Sequence, residues 1–277
     1  MFEAKPPNGK SCRIFALTLA YDGTHYHGWQ IQNGQDTIQA RLEAAIGSLV
    51  RVEGDSTVHR TLASGRTDAG VHAQGQVVRV HMPTWSGDAA ALARALNTKL
   101  PDDIAVIAAC TVNESFHPIA DAIEKTYRYR IQMGGPRDVF GHRYVYRVKV
   151  PLDLDALQGA AKLFLGTHDF ASMEAKGAPR HNTVRTLTRS AWTVEPSREP
   201  AACQHLQYTV TGNGFLYNMV RNLVGTMLEV GRGKQRLDWV ASVLASKDRS
   251  TAGPTAPASG LCLMNVRYPP EFQIKAT

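Results

Sequence analysis

Cysteine is scarce: Cys12, Cys110, Cys203 and Cys262 are the only four in 277 residues, and no two are spaced C-x-x-C. That pattern indicates neither a zinc knuckle nor a disulfide framework. Long apolar runs are missing too, since nothing approaches the ~18–20 residues that a membrane-spanning helix needs. The run Ile14–Ala20 is short and leads straight into Tyr21-Asp22-Gly23, which reads as a strand and turn and not as a secretory signal. A cytoplasmic protein without membrane association is expected. A phosphate-binding loop is also lacking. Asp22-Gly23-Thr24 has no lysine-hydroxyl ending, and Gly231-Arg232-Gly233-Lys234 follows a helix where it should open one. A nucleotide cofactor is not supported.

What is present is ordinary globular composition, 43% hydrophobic and 20% charged, in a chain long enough for one large or two modest domains. The net charge of +7 is unevenly placed. Residues 1–113 carry 10 basic and 10 acidic side chains, whereas 114–277 carry 21 against 14. Within 125–149, Lys125, Arg128, Arg130, Arg137, Arg143, Arg147 and Lys149 face one acid, Asp138. Such a field attracts polyanions, nucleic acid first among them, although a solvated basic face would look the same.

Residues 1–11 are rich in proline, glycine and lysine and predict a loose arm. From there the pattern predicts two mixed α/β halves, 12–113 and 114–277, with a cleft between them as the default site. The first half reads as strand Ile14–Ala20, a long loop Asp22–Asp36, and a helix through Ile38, Leu42, Ala45, Ile46 and Leu49. Strands at Val58–Leu62 and Gln76–Met82, a helix around Leu92–Leu96 and the strand Ile104–Ala109 follow. The second half reads as strand Thr126–Met133, a helix capped by Asp153, and strands near Arg189–Val194 and Leu206–Thr211. The apolar stripe Phe215–Val230 predicts a helix stopped by Gly231, before a short helix at Leu237–Ala245 and a last strand, Leu261–Tyr268.

The densest polar cluster is Ala63-Ser64-Gly65-Arg66-Thr67-Asp68-Ala69-Gly70-Val71-His72-Ala73, a loop between two strands. Asp68 is the only carboxylate between Asp55 and Asp88, which argues against a two-carboxylate glycosidase. A lone aspartate beside a cation suits a nucleophile or general base, and Arg66 could hold it ionised or bind a phosphate. A purely structural turn has the same residues. Metal is the competing reading, with Asp68 and His72 plus His59 or His81, or Asp22, His25 and His27, as ligands. Neither set has a helical i, i+4 histidine pair. The strand from Lys125 to Ile131 alternates, placing Tyr127, Tyr129 and Ile131 on one face and Arg128 and Arg130 on the other. Rings among cations recur in RNA readers, and tyrosines also fill cores. Arg221 interrupts an apolar helical stripe, a position that asks for a carboxylate partner or a turn outward to solvent. Asp68 is the natural partner.

At this point the chain resembles the TruA-type tRNA pseudouridine synthases. The resemblance rests on Tyr21-Asp22-Gly23-Thr24-His25-Tyr26-His27-Gly28-Trp29-Gln30, Gly65-Arg66-Thr67-Asp68-Ala69-Gly70-Val71-His72-Ala73 and Gly75-Gln76-Val77. It continues through Leu100-Pro101-Asp102-Asp103-Ile104, Tyr127-Arg128-Tyr129, Met219-Val220-Arg221-Asn222-Leu223-Val224-Gly225, Lys247-Asp248-Arg249 and Thr255-Ala256-Pro257-Ala258. These blocks run in family order from about residue 13 to 268. The resemblance implies an α+β pseudouridine-synthase fold, two mixed α/β halves with largely antiparallel sheets flanking a basic central cleft. It implies an isomerase that converts uridine to pseudouridine at positions 38, 39 and 40 of the tRNA anticodon stem-loop, as a homodimer without cofactor or metal. By motif, Asp68 matches the catalytic aspartate, Arg221 the arginine paired with it, and Tyr127 the tyrosine that stacks on the target base. Arg66 is assigned a supporting contact to the flipped nucleotide or to phosphate. After Phe116-His117, Pro118 and Ile119 stand where many relatives have an arginine, and 167–205 match least well. A non-catalytic RNA-binding protein, which would not need Asp68 as a carboxylate, and a metal-dependent hydrolase, which a chelator would silence, are the alternatives.

Overall fold

The computed structural model describes residues 13–49, 61–175, 177, 182–195, 203–272 and 274. Ten strands and five α-helices follow one another as β1 Ile14–Tyr21, α1 Ile38–Leu49, β2 Leu62–Ala63, β3 His72–His81, α2 Ala89–Asn97, β4 Ile104–Val112, β5 Glu124–Gly134, β6 Tyr146–Val148, α3 Leu154–Leu163, β7 Gly166–Asp169, β8 Val184–Glu195, β9 Cys203–Gly212, α4 Met219–Gly231, α5 Leu237–Ser246 and β10 Leu261–Arg267. Three of the helices start where short polar side chains satisfy their first N–H groups. Asp88 accepts from Ala91 N on α2, Asp153 from Ala156 N on α3, and Thr37 Oγ1 from Ala40 N on α1.

All ten strands belong to one mostly antiparallel sheet, ordered β4-β1-β3-β10-β5-β9-β8-β7, with β2 beside β3 and β6 beside β5. The last strand of the chain is therefore central. β10 runs parallel to β3 (Cys262 opposite His72, Leu263 opposite Ala73) and antiparallel to β5 (Leu263 opposite Tyr127, Leu261 opposite Tyr129). It joins the strands of the first half to those of the second. Tyr129, Ile131, Tyr208 and Val210 are fully buried on the face that α3 and α4 cover. Ser190 donates there to Ala161 O, and Trp192 lies against Met227.

Several boundaries differ from the sequence reading. α4 begins at Met219, not Phe215, because Asn218 takes a left-handed conformation (φ 59°) that interrupts the helical path. Phe215 and Leu216 still pack inward, which is why the apolar stripe began with them. Gly231 lies within α4, and the glycine with positive φ beyond the helix is Gly233. β3 starts four residues before the expected Gln76, since Val71, His72 and Ala73 are already buried in it or at its entry. Most of the expected strand Val58–Leu62 and the whole N-terminal arm lie outside the described residues. The short strands β6 and β7 carry too little alternation to be read from sequence.

Candidate active site

The loop between β2 and β3 is shaped by its neighbours before any side chain is considered. Trp29 N donates to Thr67 O, Gly70 N to Tyr26 O, and Thr67 Oγ1 bonds the Tyr21 hydroxyl at 2.8 Å. The long loop after β1 thus wraps the polar cluster. Gly28 makes this approach possible: it sits at φ 88°, and a Cβ there would lie 2.6 Å from Thr67 O. At the other end, fully buried Gln76 donates to Gly65 O, and Lys125 Nζ donates to Ser64 O. Backbone and buried amides hold both ends, so Asp68 is presented from a fixed turn.

Arg221 meets that carboxylate from α4. Its NH1 donates to Asp68 Oδ2 at 3.0 Å and to Asn218 Oδ1 at 3.0 Å, and its Nε donates to Ala256 O at 2.8 Å. Both partners of the ion pair are about four-fifths buried, with side-chain exposures of 18% and 19%. Burial raises the Asp68 carboxyl above the usual carboxylate range, and the Arg221 hydrogen bond and charge offset this only in part. The segment that supplies the Ala256 carbonyl lies tight on α4 because residue 225 is glycine. A Cβ there would overlap Pro254 O, at 1.7 Å.

Tyr127 lies on β5 beside this pair, 8% exposed, with its ring edge-on to Phe215 at 5.0 Å. Burial first, and then the nearby Asp68 charge, push its hydroxyl well above the usual tyrosine range. Tyr129 is a core residue whose hydroxyl donates to Pro257 O. The alternation of β5 is as expected, and it sends Arg128 and Arg130 to the sheet face away from Asp68. Arg130 is engaged there by Glu195 through a two-pronged ion pair. Those cations therefore do not surround the aromatic ring. Arg66 is exposed, and the cation on Asp68 is Arg221 instead.

His72 leaves the loop on the opposite face. Gly23 N donates to its Nδ1 at 3.1 Å, and its Nε2 bonds Arg143 O at 3.0 Å. Its ring packs on Tyr144, whose hydroxyl donates to Asp22 Oδ2. A cavity of about 590 Å³ on that face is lined by Asp22, His72, Arg128, Arg130, Tyr144 and Cys262, and Asp68 is not among its walls. Among the described residues, no three His, Cys, Asp or Glu side chains converge as a metal site would require; His59 lies outside them. Sequence reasoning passed over Asn218, Gln76, Tyr21 and the Ala256 carbonyl. All four act through hydrogen bonds to residues distant in sequence or one helical turn away; Tyr21, Gln76 and Ala256 stand inside the family-like blocks without their roles being readable, and Asn218 lies just outside one.

A mostly antiparallel α+β sheet with a guanidinium-paired aspartate on an inter-strand loop agrees with the pseudouridine-synthase fold that the resemblance implies. The chain belongs to the tRNA pseudouridine synthase family, whose model matches residues 18–119 and 160–269. It is 42% identical over 252 residues to the tRNA pseudouridine synthase A of Geobacillus sp. (strain WCH70), covering 91% of this chain and 96% of that one. It is 45% identical over 254 residues to that of Shouchella clausii (strain KSM-K16), covering 91% and 92%, and 42% identical over 251 residues to that of Bacillus subtilis (strain 168), covering 91% and 97%.

Proposed function

We propose that this chain isomerises uridine to pseudouridine at positions 38, 39 and 40 of the tRNA anticodon stem-loop, with Asp68 as the reacting carboxylate and no cofactor or metal. The observation that carries the reading is the Asp68–Arg221 pair, at 3.0 Å and mostly buried, on motifs that resemble the family's. The reaction breaks the N1–C1′ bond, turns the uracil and forms a C5–C1′ bond; C5 loses a proton and N1 gains one. No electrons are exchanged with another molecule, and one ionised carboxylate suffices as nucleophile or base. Arg221 offsets part of the burial that disfavours the charged form of Asp68.

The target uridine has to leave the helical stack, at a cost of a few kcal/mol. Stacking on the Tyr127 ring, worth about 1–3 kcal/mol, offsets part of that. Phosphate contacts from exposed Arg66 and from the basic half, 114–277, supply more. Residues 12–113 bring the catalytic loop in this division of labour. A homodimer acting in the cytoplasm completes the proposal. Mapping pseudouridine by base-specific chemical adduction and primer extension on unmodified tRNA tests the position: pseudouridine at 38–40 is expected, and pseudouridine only at other positions would refute the assignment. A monomeric mass by light scattering would refute the dimer.

A further inference from the structure

We propose that Asn218 is a positioning residue of this site, whose side-chain oxygen holds the Arg221 guanidinium end-on against Asp68. The inference rests on the reading of Asp68 and Arg221 as the catalytic pair. An asparagine at a helix N-cap ordinarily accepts from the N–H two or three residues on. Asp88, Asp153 and Thr37 do so on α2, α3 and α1. Asn218 stands at the N-cap of α4 and makes no such bond. Its Oδ1 accepts from Arg221 NH1 instead.

The backbone is arranged for that choice. Among the described residues only Asn218 and Lys247 have positive φ without being glycine, and Asn218 sits at φ 59°, ψ 5°. Asparagine, aspartate and histidine tolerate this region best. The left-handed turn brings the side chain back over the first turn of the helix, where Arg221 leaves it.

The consequence lies in how the guanidinium's donors are distributed. An arginine free to choose closes on a carboxylate with two parallel bonds. Here NH1 divides its hydrogens between Asp68 Oδ2 and Asn218 Oδ1, both at 3.0 Å, while Nε is held by Ala256 O at 2.8 Å. Arg221 thus reaches Asp68 through one nitrogen and one oxygen. Among the described residues Asp68 Oδ1 accepts no hydrogen bond. Asn218 keeps the cation near enough to stabilise the charge and prevents it from covering both oxygens, so that Oδ1 stays available to the nucleotide.

The test uses two substitutions that the left-handed backbone accepts. Asn218→Gly keeps the turn and removes the acceptor, and Asn218→His keeps the turn with a neutral ring nitrogen that can accept. In single-turnover and steady-state assays on tRNA, the glycine variant is expected to lose about 10- to 100-fold in kcat, the scale of a misplaced catalytic group. Its KM for tRNA should stay within about twofold and its melting temperature near wild type, since Asn218 makes no capping bond and Gly is itself accepted at an N-cap. The histidine variant should recover most of the loss. Wild-type kcat in Asn218→Gly, an equal loss in both variants, or an effect confined to KM would overturn the inference. Asp68→Asn, assayed in parallel, separates the two levels. If it is inactive while Asn218→Gly is normal, only the role of Asn218 fails; if it retains turnover, the catalytic pair fails and this inference with it.

Discussion

Burial lifts the Asp68 carboxyl above the ordinary range, and among the described residues Arg221 is the group that pulls it back. Removing the arginine therefore leaves the carboxyl still harder to ionise. Arg221→Gln is expected to move the acid limb of the kcat–pH profile to higher pH and to lower the plateau; a limb that stays or moves to lower pH would contradict the role given to Arg221. Tyr127 is tested by a pair of substitutions. Phe keeps the ring against Phe215, whereas Leu removes it, and loss of one base–ring stack of ~1–3 kcal/mol predicts a fall of about 5- to 150-fold. Tyr127→Phe should retain more turnover than Tyr127→Leu, and equal losses would transfer the role to the hydroxyl. Asp68, Tyr127 and Arg221 were legible in sequence because each breaks a local rule: a lone acid in a glycine-flanked loop, an aromatic strand among cations, a charge in an apolar stripe. Ala256, which acts through its backbone carbonyl, breaks none.

At the level of elements, strands and helices with strong periodicity were readable to within a few residues, and β1, α1, α2, α3 and β5 are the clearest cases. The start of α4 was not. Its hydrophobic stripe extends backward through Leu216 and Phe215, which are buried or half-buried without being helical, and only the left-handed Asn218 separates the two regimes. Gly225 makes a sharper prediction about the same helix. Alanine has the better helix propensity by ~1 kcal/mol, so an isolated helix would gain from Gly225→Ala. Here the added Cβ would overlap Pro254 O, and overpacking of this kind costs about 1–3 kcal/mol. Since that carbonyl's segment also carries the Ala256 acceptor for Arg221, Gly225→Ala should lower both the melting temperature and kcat. A more stable, fully active variant would show that the segment is not fixed by this contact.

For the whole molecule, the sequence suggests two halves, and nothing local in residues 261–267 tells where their strand lies. That β10 sits between β3 and β5 follows from non-local pairing, which periodicity does not encode. This placement lays the exit of the Asp68 loop, His72-Ala73, beside the C-terminal strand and Tyr127 on the strand beyond it. The charge imbalance of the second half is a property of the chain as a whole, and the β5 cations show that it need not be spent at the reacting base. The central claim is that one carboxylate, Asp68, isomerises uridine at C5. The structure also predicts that its loss does not unfold the protein. Because the folded-state pKa is raised, the stability tied to the neutral carboxyl is complete below the unfolded carboxylate range and is lost as pH rises through the folded value. Asp68→Asn should accordingly melt at or above wild type at neutral pH. The most direct test is tritium release from tRNA labelled at uridine C5, for wild type and Asp68→Asn, with and without a chelator. The account predicts release by the wild type alone, undiminished by the chelator; release by a folded Asp68→Asn protein, or none from a wild type that binds tRNA, would contradict it.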